Sequence, residues 1–216
     1  MNKRLFILAA AALLAAPALA ADKPGDGLVD RKSRNLDTVR TAASWPAAYR
    51  AVHIPAIEVE FQPFRDANAI QRPGSQPSGA DVKRASQEMA QALRAALQER
   101  LQKAGYEIAS APGSGVLVLK TSLEDVRVNA PTSGAYAGAG QKNFVTEAGE
   151  ASLKIEGFDG ASRAKVLAIN DRGRPRAHMP GVDRADSVTN RFWFQDLFAN
   201  WADSVARELP AAGKAG

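Results

Sequence analysis

Residue types able to do chemistry are sparse in this chain. It has two histidines, His53 and His178, and no cysteine in 216 residues. A catalytic or structural metal needs ligands at set spacing, and no His-Glu-x-x-His or similar pattern occurs. Both histidines therefore read as ordinary residues. The acidic pair Glu124–Asp125 could divide acid and base roles if its environments split the two pKa values. Neighbours on a strand point to opposite faces, however, so the pair reads as a solvated strand end. Gly134–Lys142 has the glycines of a phosphate loop but not the closing Gly-Lys-Ser/Thr, and no helix pattern follows. It reads as a plain loop. No Gly-x-Ser-x-Gly elbow is present. The expectation is a chain that is not an enzyme, with no catalytic, metal or cofactor residues and no cofactor.

Binding residues are easier to nominate. Arg172, Arg174 and Arg176 stand at alternate positions, and Arg184 follows. On an extended backbone alternate side chains point the same way, so the first three would form one positive stripe. Guanidinium groups grip carboxylates and phosphates in bidentate fashion. An anionic envelope surface or another envelope protein would suit such a stripe. A second candidate is aromatic. Trp193 and Phe194 are adjacent within Phe192–Trp201, a helical pattern, and stand about 100° apart round the helix. Not every ring there can face inward, and an exposed one would mark a partner surface.

The elements that must position these residues follow from periodicity. Ile57, Val59 and Phe61 alternate with Glu58, Glu60 and Gln62, which predicts a strand bounded by Pro55 and Pro63. Val82, Met89, Leu93, Leu97 and Leu101 recur at three and four, which predicts a helix over 78–104. Ser78 and Asp81 have capping-box spacing, and Gly105 is the expected stop. Tyr106–Ala109 and Val116–Val128 read as strands, the second central because its start is apolar on both faces. Val145–Gly157 alternates, Asp159-Gly160 supplies a turn and Val166–Ile169 returns, which predicts a hairpin. Ser187–Leu209, closed by Pro210, reads as a second amphipathic helix. The fold class expected is α+β: a single mixed, largely antiparallel sheet of about five strands, with two long amphipathic helices packed on one face.

The N-terminus reads as an export signal. Lys3 and Arg4 precede the apolar run Leu5–Ala16, and Ala18-Leu19-Ala20 has the small-x-small form that signal peptidase cuts. The domain reading is a signal peptide over 1–20, an extended polar arm over 21–44, one α+β domain over 45–210 and a flexible tail over 211–216. No later apolar run reaches the roughly 20 residues that span a bilayer, so no transmembrane segment is expected after cleavage. The formal charge is +5, of which Lys3 and Arg4 contribute two, and that is too little to argue for nucleic acid in an exported chain.

The motifs YRAVHIPAIEVEF, LQERLQKAGYEIAS, VLVLKTSLEDVRV, GEASLKIEGFDGASRAKVLAIND and NWADSVARELP, together spanning Tyr49–Leu209, resemble a family of proteobacterial envelope proteins, mostly lipoproteins, classed as domain of unknown function 3313. The resemblance implies a small α+β sandwich, similar to domains of periplasmic assembly proteins, and no catalytic residues to carry over. The chain departs from that family in lacking the lipobox cysteine, which puts membrane anchoring in doubt. The function expected is a non-catalytic, exported binding or assembly accessory of the cell envelope, periplasmic and peripheral to the outer membrane. The alternative is a periplasmic carboxylate-based hydrolase.

Overall fold

The computed structural model describes residues 27–45, 48–62, 78–128, 144–145, 149–173, 183–184 and 187–213. The signal-peptide residues 1–20, the Gly134–Lys142 segment, Arg174, Arg176 and His178 lie outside them, as do the side chains of Arg184 and Trp193.

The elements run β1 (Leu28–Arg31), β2 (Thr38–Ala42), β3 (Ala51–His53), β4 (Glu58–Phe61), α1 (Gly79–Lys103), β5 (Glu107–Ile108), β6 (Val116–Val128), β7 (Phe144–Val145), β8 (Gly149–Asp159), β9 (Lys165–Gly173), β10 (Asp183–Arg184) and α2 (Ser187–Glu208). Eight strands make one mixed sheet in the order β1-β2-β9-β8-β6-β3-β5, with β4 also on β6. The sequence expectation of about five strands is corrected here, although the α+β class stands. β7 and β10 form a separate antiparallel pair.

The extra strands come from two places. Residues 28–42, expected as part of an arm, form the hairpin β1–β2, and β2 joins β9 with Val39 opposite Ile169. Val39 is buried, and that supplies the apolar contact which the polar composition of the arm hides. The single strand expected around Ile57 is two, because Pro55 lacks the N–H a ladder needs. β3 and β4 pair in parallel with successive stretches of β6 on either side of that break.

One face of the sheet is dry. On β8 the odd residues Ala151, Leu153 and Ile155 are buried, while Lys154 is exposed and Ser152 and Glu156 are half-buried. Leu119, Thr121 and Leu123 of β6 and Leu167 and Ile169 of β9 continue that face. α1 opens as expected on the Ser78–Asp81 capping box and buries Leu93, Leu97 and Leu101. Gly105 takes φ 93°, a left-handed value that glycine adopts without strain, and ends the helix. α2 lies against α1 and buries Phe194, Phe198, Trp201, Ala202 and Val205. The opposite face is wet and laddered with charge: Lys154 meets Glu124 at 3.3 Å and Lys165 meets Glu156 at 2.7 Å.

Two turns differ from the reading by type. Gly160 in the β8–β9 turn is needed for space, since a Cβ there would sit 2.5 Å from the Gly113 carbonyl. The left-handed residue of that turn is Arg163, at φ 61°. The C-terminal residues, expected to be a flexible tail from 211, are held as far as Gly213. Its N–H donates to the Tyr49 carbonyl at 2.8 Å.

Candidate functional site

Asp171 sits near the end of β9, opposite Leu153, and so points to the face that the helices cover. Two residues on, Gly173 points the same way. A Cβ on Gly173 would stand 2.4 Å from Leu197 and 2.7 Å from Trp201, so glycine is what lets α2 settle onto the strand here. The approach brings the Trp201 indole N–H onto the Asp171 carboxylate at 2.6 Å. The other carboxylate oxygen accepts the Asp37 N–H at 2.9 Å, and the Asp37 carboxylate accepts the Arg172 N–H at 3.0 Å. One carboxylate thus ties the segment before β2, the end of β9 and α2 together.

Beside this knot lies an open groove of about 340 Å³, lined among others by Asn35, Leu197, Asn200, Ser204 and Arg207. Asp203 on its wall is held by Arg100 of α1 at 3.1 Å, and the Ser204 hydroxyl donates to the Asn200 carbonyl at 2.8 Å. What faces the opening is amide and guanidinium chemistry suited to recognition. Its carboxylates are occupied by structural donors.

The most buried carboxylate is Asp159, at the β8–β9 turn. It accepts from the Ala161 N–H at 3.1 Å, from the Ser162 N–H at 2.6 Å, from the Ser162 hydroxyl at 2.8 Å and from the Tyr49 hydroxyl at 3.2 Å. The Ser162 backbone bond, more than any other contact, holds its pKa below the usual carboxylate value. Tyr49 is fully buried, and burial and the neighbouring carboxylate push its phenol well above the usual range.

The basic stripe expected from sequence is altered at its first member. Arg172 belongs to β9, and its guanidinium lies 3.0 Å from Glu150. Arg127 meets the same oxygen at 3.3 Å, and its Nε donates to Gln62 at 2.6 Å. Gln62 donates in turn to Asp125 at 2.7 Å. Arg172 is therefore a member of a neutralising network rather than of a bare cationic stripe. The aromatic surface is corrected too: Phe194 is 5% exposed and packs on Phe198 with centroids 5.9 Å apart. α2 turns it inward because position 194 shares the buried face with 198 and 201.

The other sequence candidates fall where structure uses them. The His53 Nδ1–H donates to the Ala109 carbonyl at 3.0 Å, tying β3 to the residue after β5. Glu124 faces Lys154, while Asp125 takes φ 54° at a β-bulge, so the two carboxylates do not converge. The Asp171–Trp201 knot was missed. Its one trace in the sequence is Gly173 after a strand, a hint of close approach.

The family model described as "Protein of unknown function (DUF3313)" matches residues 39–205. No curated protein matches the chain significantly. Among solved structures, a PelC dodecamer from Paraburkholderia phytofirmans is 14% identical with a TM-score of 0.39, over 77% of this chain and 97% of that one. A neuraminyllactose-binding haemagglutinin homologue from Helicobacter pylori is 13% identical with a TM-score of 0.41, over 76% of this chain and 83% of that one.

Proposed function

The chain belongs to the family described as "Protein of unknown function (DUF3313)", and on that premise we propose that it is a non-catalytic, exported accessory that binds or helps assemble components of the cell envelope. One observation carries the reading. Asp159, the most buried carboxylate, has its lone pairs filled by four structural donors and its pKa held down. A general acid or base at neutral pH needs a pKa moved towards 7, the opposite direction. Asp171 is likewise occupied on both oxygens. The partner-facing surfaces of the proposal are the charge-laddered sheet face and the basic residues Arg174, Arg176 and Arg184, which suit an anionic envelope component. Export to the periplasm rests on the three-part N-terminal pattern, and a peripheral place at the outer membrane rests on the resemblance to lipoproteins without their anchoring cysteine.

Fractionation of expressing cells, intact-mass measurement and assay of the purified chain on ester, amide, phosphate and glycoside probes test this together. The expected result is a periplasmic chain lacking residues 1–20 and turnover at buffer background. A cytoplasmic chain that keeps residues 1–20 defeats the export reading. Turnover lost on Asp171→Asn would establish the carboxylate-based hydrolase instead.

A further inference from the structure

β1 is the edge of the sheet among the described residues, paired on one side to β2. An edge strand presents unpaired backbone N–H and C=O groups and invites another strand. At its middle stands Val29, 51% exposed, the exposed large hydrophobic side chain among the described residues. Val29 lies opposite Thr41, which is buried on the helix-covered face. The valine is therefore an apolar group of the dry face, left at its rim. Its neighbour Asp30 points to the wet face, where Arg40 neutralises it at 3.2 Å. Arg40 also donates to the Leu28 carbonyl at 3.3 Å.

We propose that β1 pairs antiparallel with β1 of a second copy about a two-fold axis at Val29, so that the two sheets become continuous. The register follows from symmetry. A two-fold axis normal to the sheet keeps the dry faces on one side, and directly opposed residues must then share a face. Since faces alternate along a strand, the axis must pass through a residue opposed to its own copy. Centring on Asp30 opposes two carboxylates, and centring on Arg31 opposes two guanidinium groups, both destabilising. Centring on Val29 opposes valine to valine, Leu28 to the second copy's Asp30 and Gly27 to the second copy's Arg31. No like charges meet, and the exposed apolar group is covered by its own equivalent.

The chain has no cysteine, so one introduced thiol reports one position. Sedimentation velocity of the protein as recovered from expressing cells should show a monomer–dimer equilibrium that shifts with concentration. Val29→Lys, a surface change that leaves the fold intact, should weaken the dimer about ten-fold or more. Val29→Cys should oxidise to a covalent dimer much faster than Thr38→Cys, an exposed site on β2. The proposal is overturned if the protein sediments as a monomer at every concentration. It is overturned equally if the Val29→Cys variant dimerises no faster than the Thr38→Cys variant, or if its thiol is captured only by a different envelope protein.

Discussion

The indole N–H of Trp201 rests on the carboxylate of Asp171 at 2.6 Å, joining the middle of α2 to the end of β9 beneath it. Trp201 is 2% exposed, so neither group has water to fall back on if the other is removed. Trp201→Phe keeps most of the apolar bulk and deletes the donor. It should cost about 1.5–3 kcal/mol, the range for a hydrogen bond to a charged group. Asp171→Ala should cost at least as much, because it orphans the Asp37 N–H as well. Urea titration of both variants checks this, and losses under about 0.5 kcal/mol would show that the contact does not support the fold.

Gly173 makes that contact possible. Gly173→Ala drives a methyl into Leu197 and Trp201 and should cost about 1–3 kcal/mol by overpacking. Gly79→Ala, at the first residue of α1 with nothing within 4 Å of the added carbon, should stay within about 0.5 kcal/mol. Thermal unfolding distinguishes the two, and equal shifts would mean that α2 sits further from β9.

Arg94 is a correction to the reading of α1 by helical face alone. Its place opposite the leucine stripe suggests a solvated side chain. Instead its guanidinium donates to the carbonyls of Ile54 and Pro55 at 2.6 and 2.5 Å, capping the break between β3 and β4. Arg94→Ala should cost about 1.5–3 kcal/mol. Arg84→Ala, on an exposed ion pair at 3.7 Å, should cost within about 0.5 kcal/mol. Leu97→Ala, at a fully buried position, should cost about 2–5 kcal/mol through the cavity it leaves. Equal urea midpoints for the Arg94 and Arg84 variants would refute the capping role.

Stability should fall at both ends of the pH scale for separable reasons. Asp159 has a lower pKa folded than unfolded, so its contribution is present above about 4, the unfolded carboxylate range, and fades as pH drops through the folded value. Asp159→Asn should flatten the acid limb of a stability–pH curve. Burial pushes Tyr106 up to about 12, and its hydroxyl donates to the Pro210 carbonyl. Its contribution is complete below about 10, the unfolded phenol value, and is lost as pH rises through about 12. Tyr106→Phe should soften the alkaline limb and leave the acid limb unchanged. An acid limb that survives Asp159→Asn would assign it to other carboxylates.

The elements legible in the residues alone are those whose evidence is local. The Leu93–Leu97–Leu101 stripe, the Ser78–Asp81 capping box and the alternation along β8 each depend on residues a few positions apart, where helix and strand periods are written directly. The α+β class and the family resemblance followed from the same patterns. The remainder was settled by long-range packing. β1, β3 and β5 are two to four residues long, too short to show a period, and exist because a neighbouring strand pairs with them. Phe194 faces inward because of where α2 docks, and Arg172 is paired because Glu150 lies across the ladder. Asp37 and Asp171 are 134 positions apart, and nothing in either neighbourhood encodes their meeting. That bond forms only once β2 has paired with β9. The residues that tie this fold together were therefore legible as polar side chains, and their partners were not.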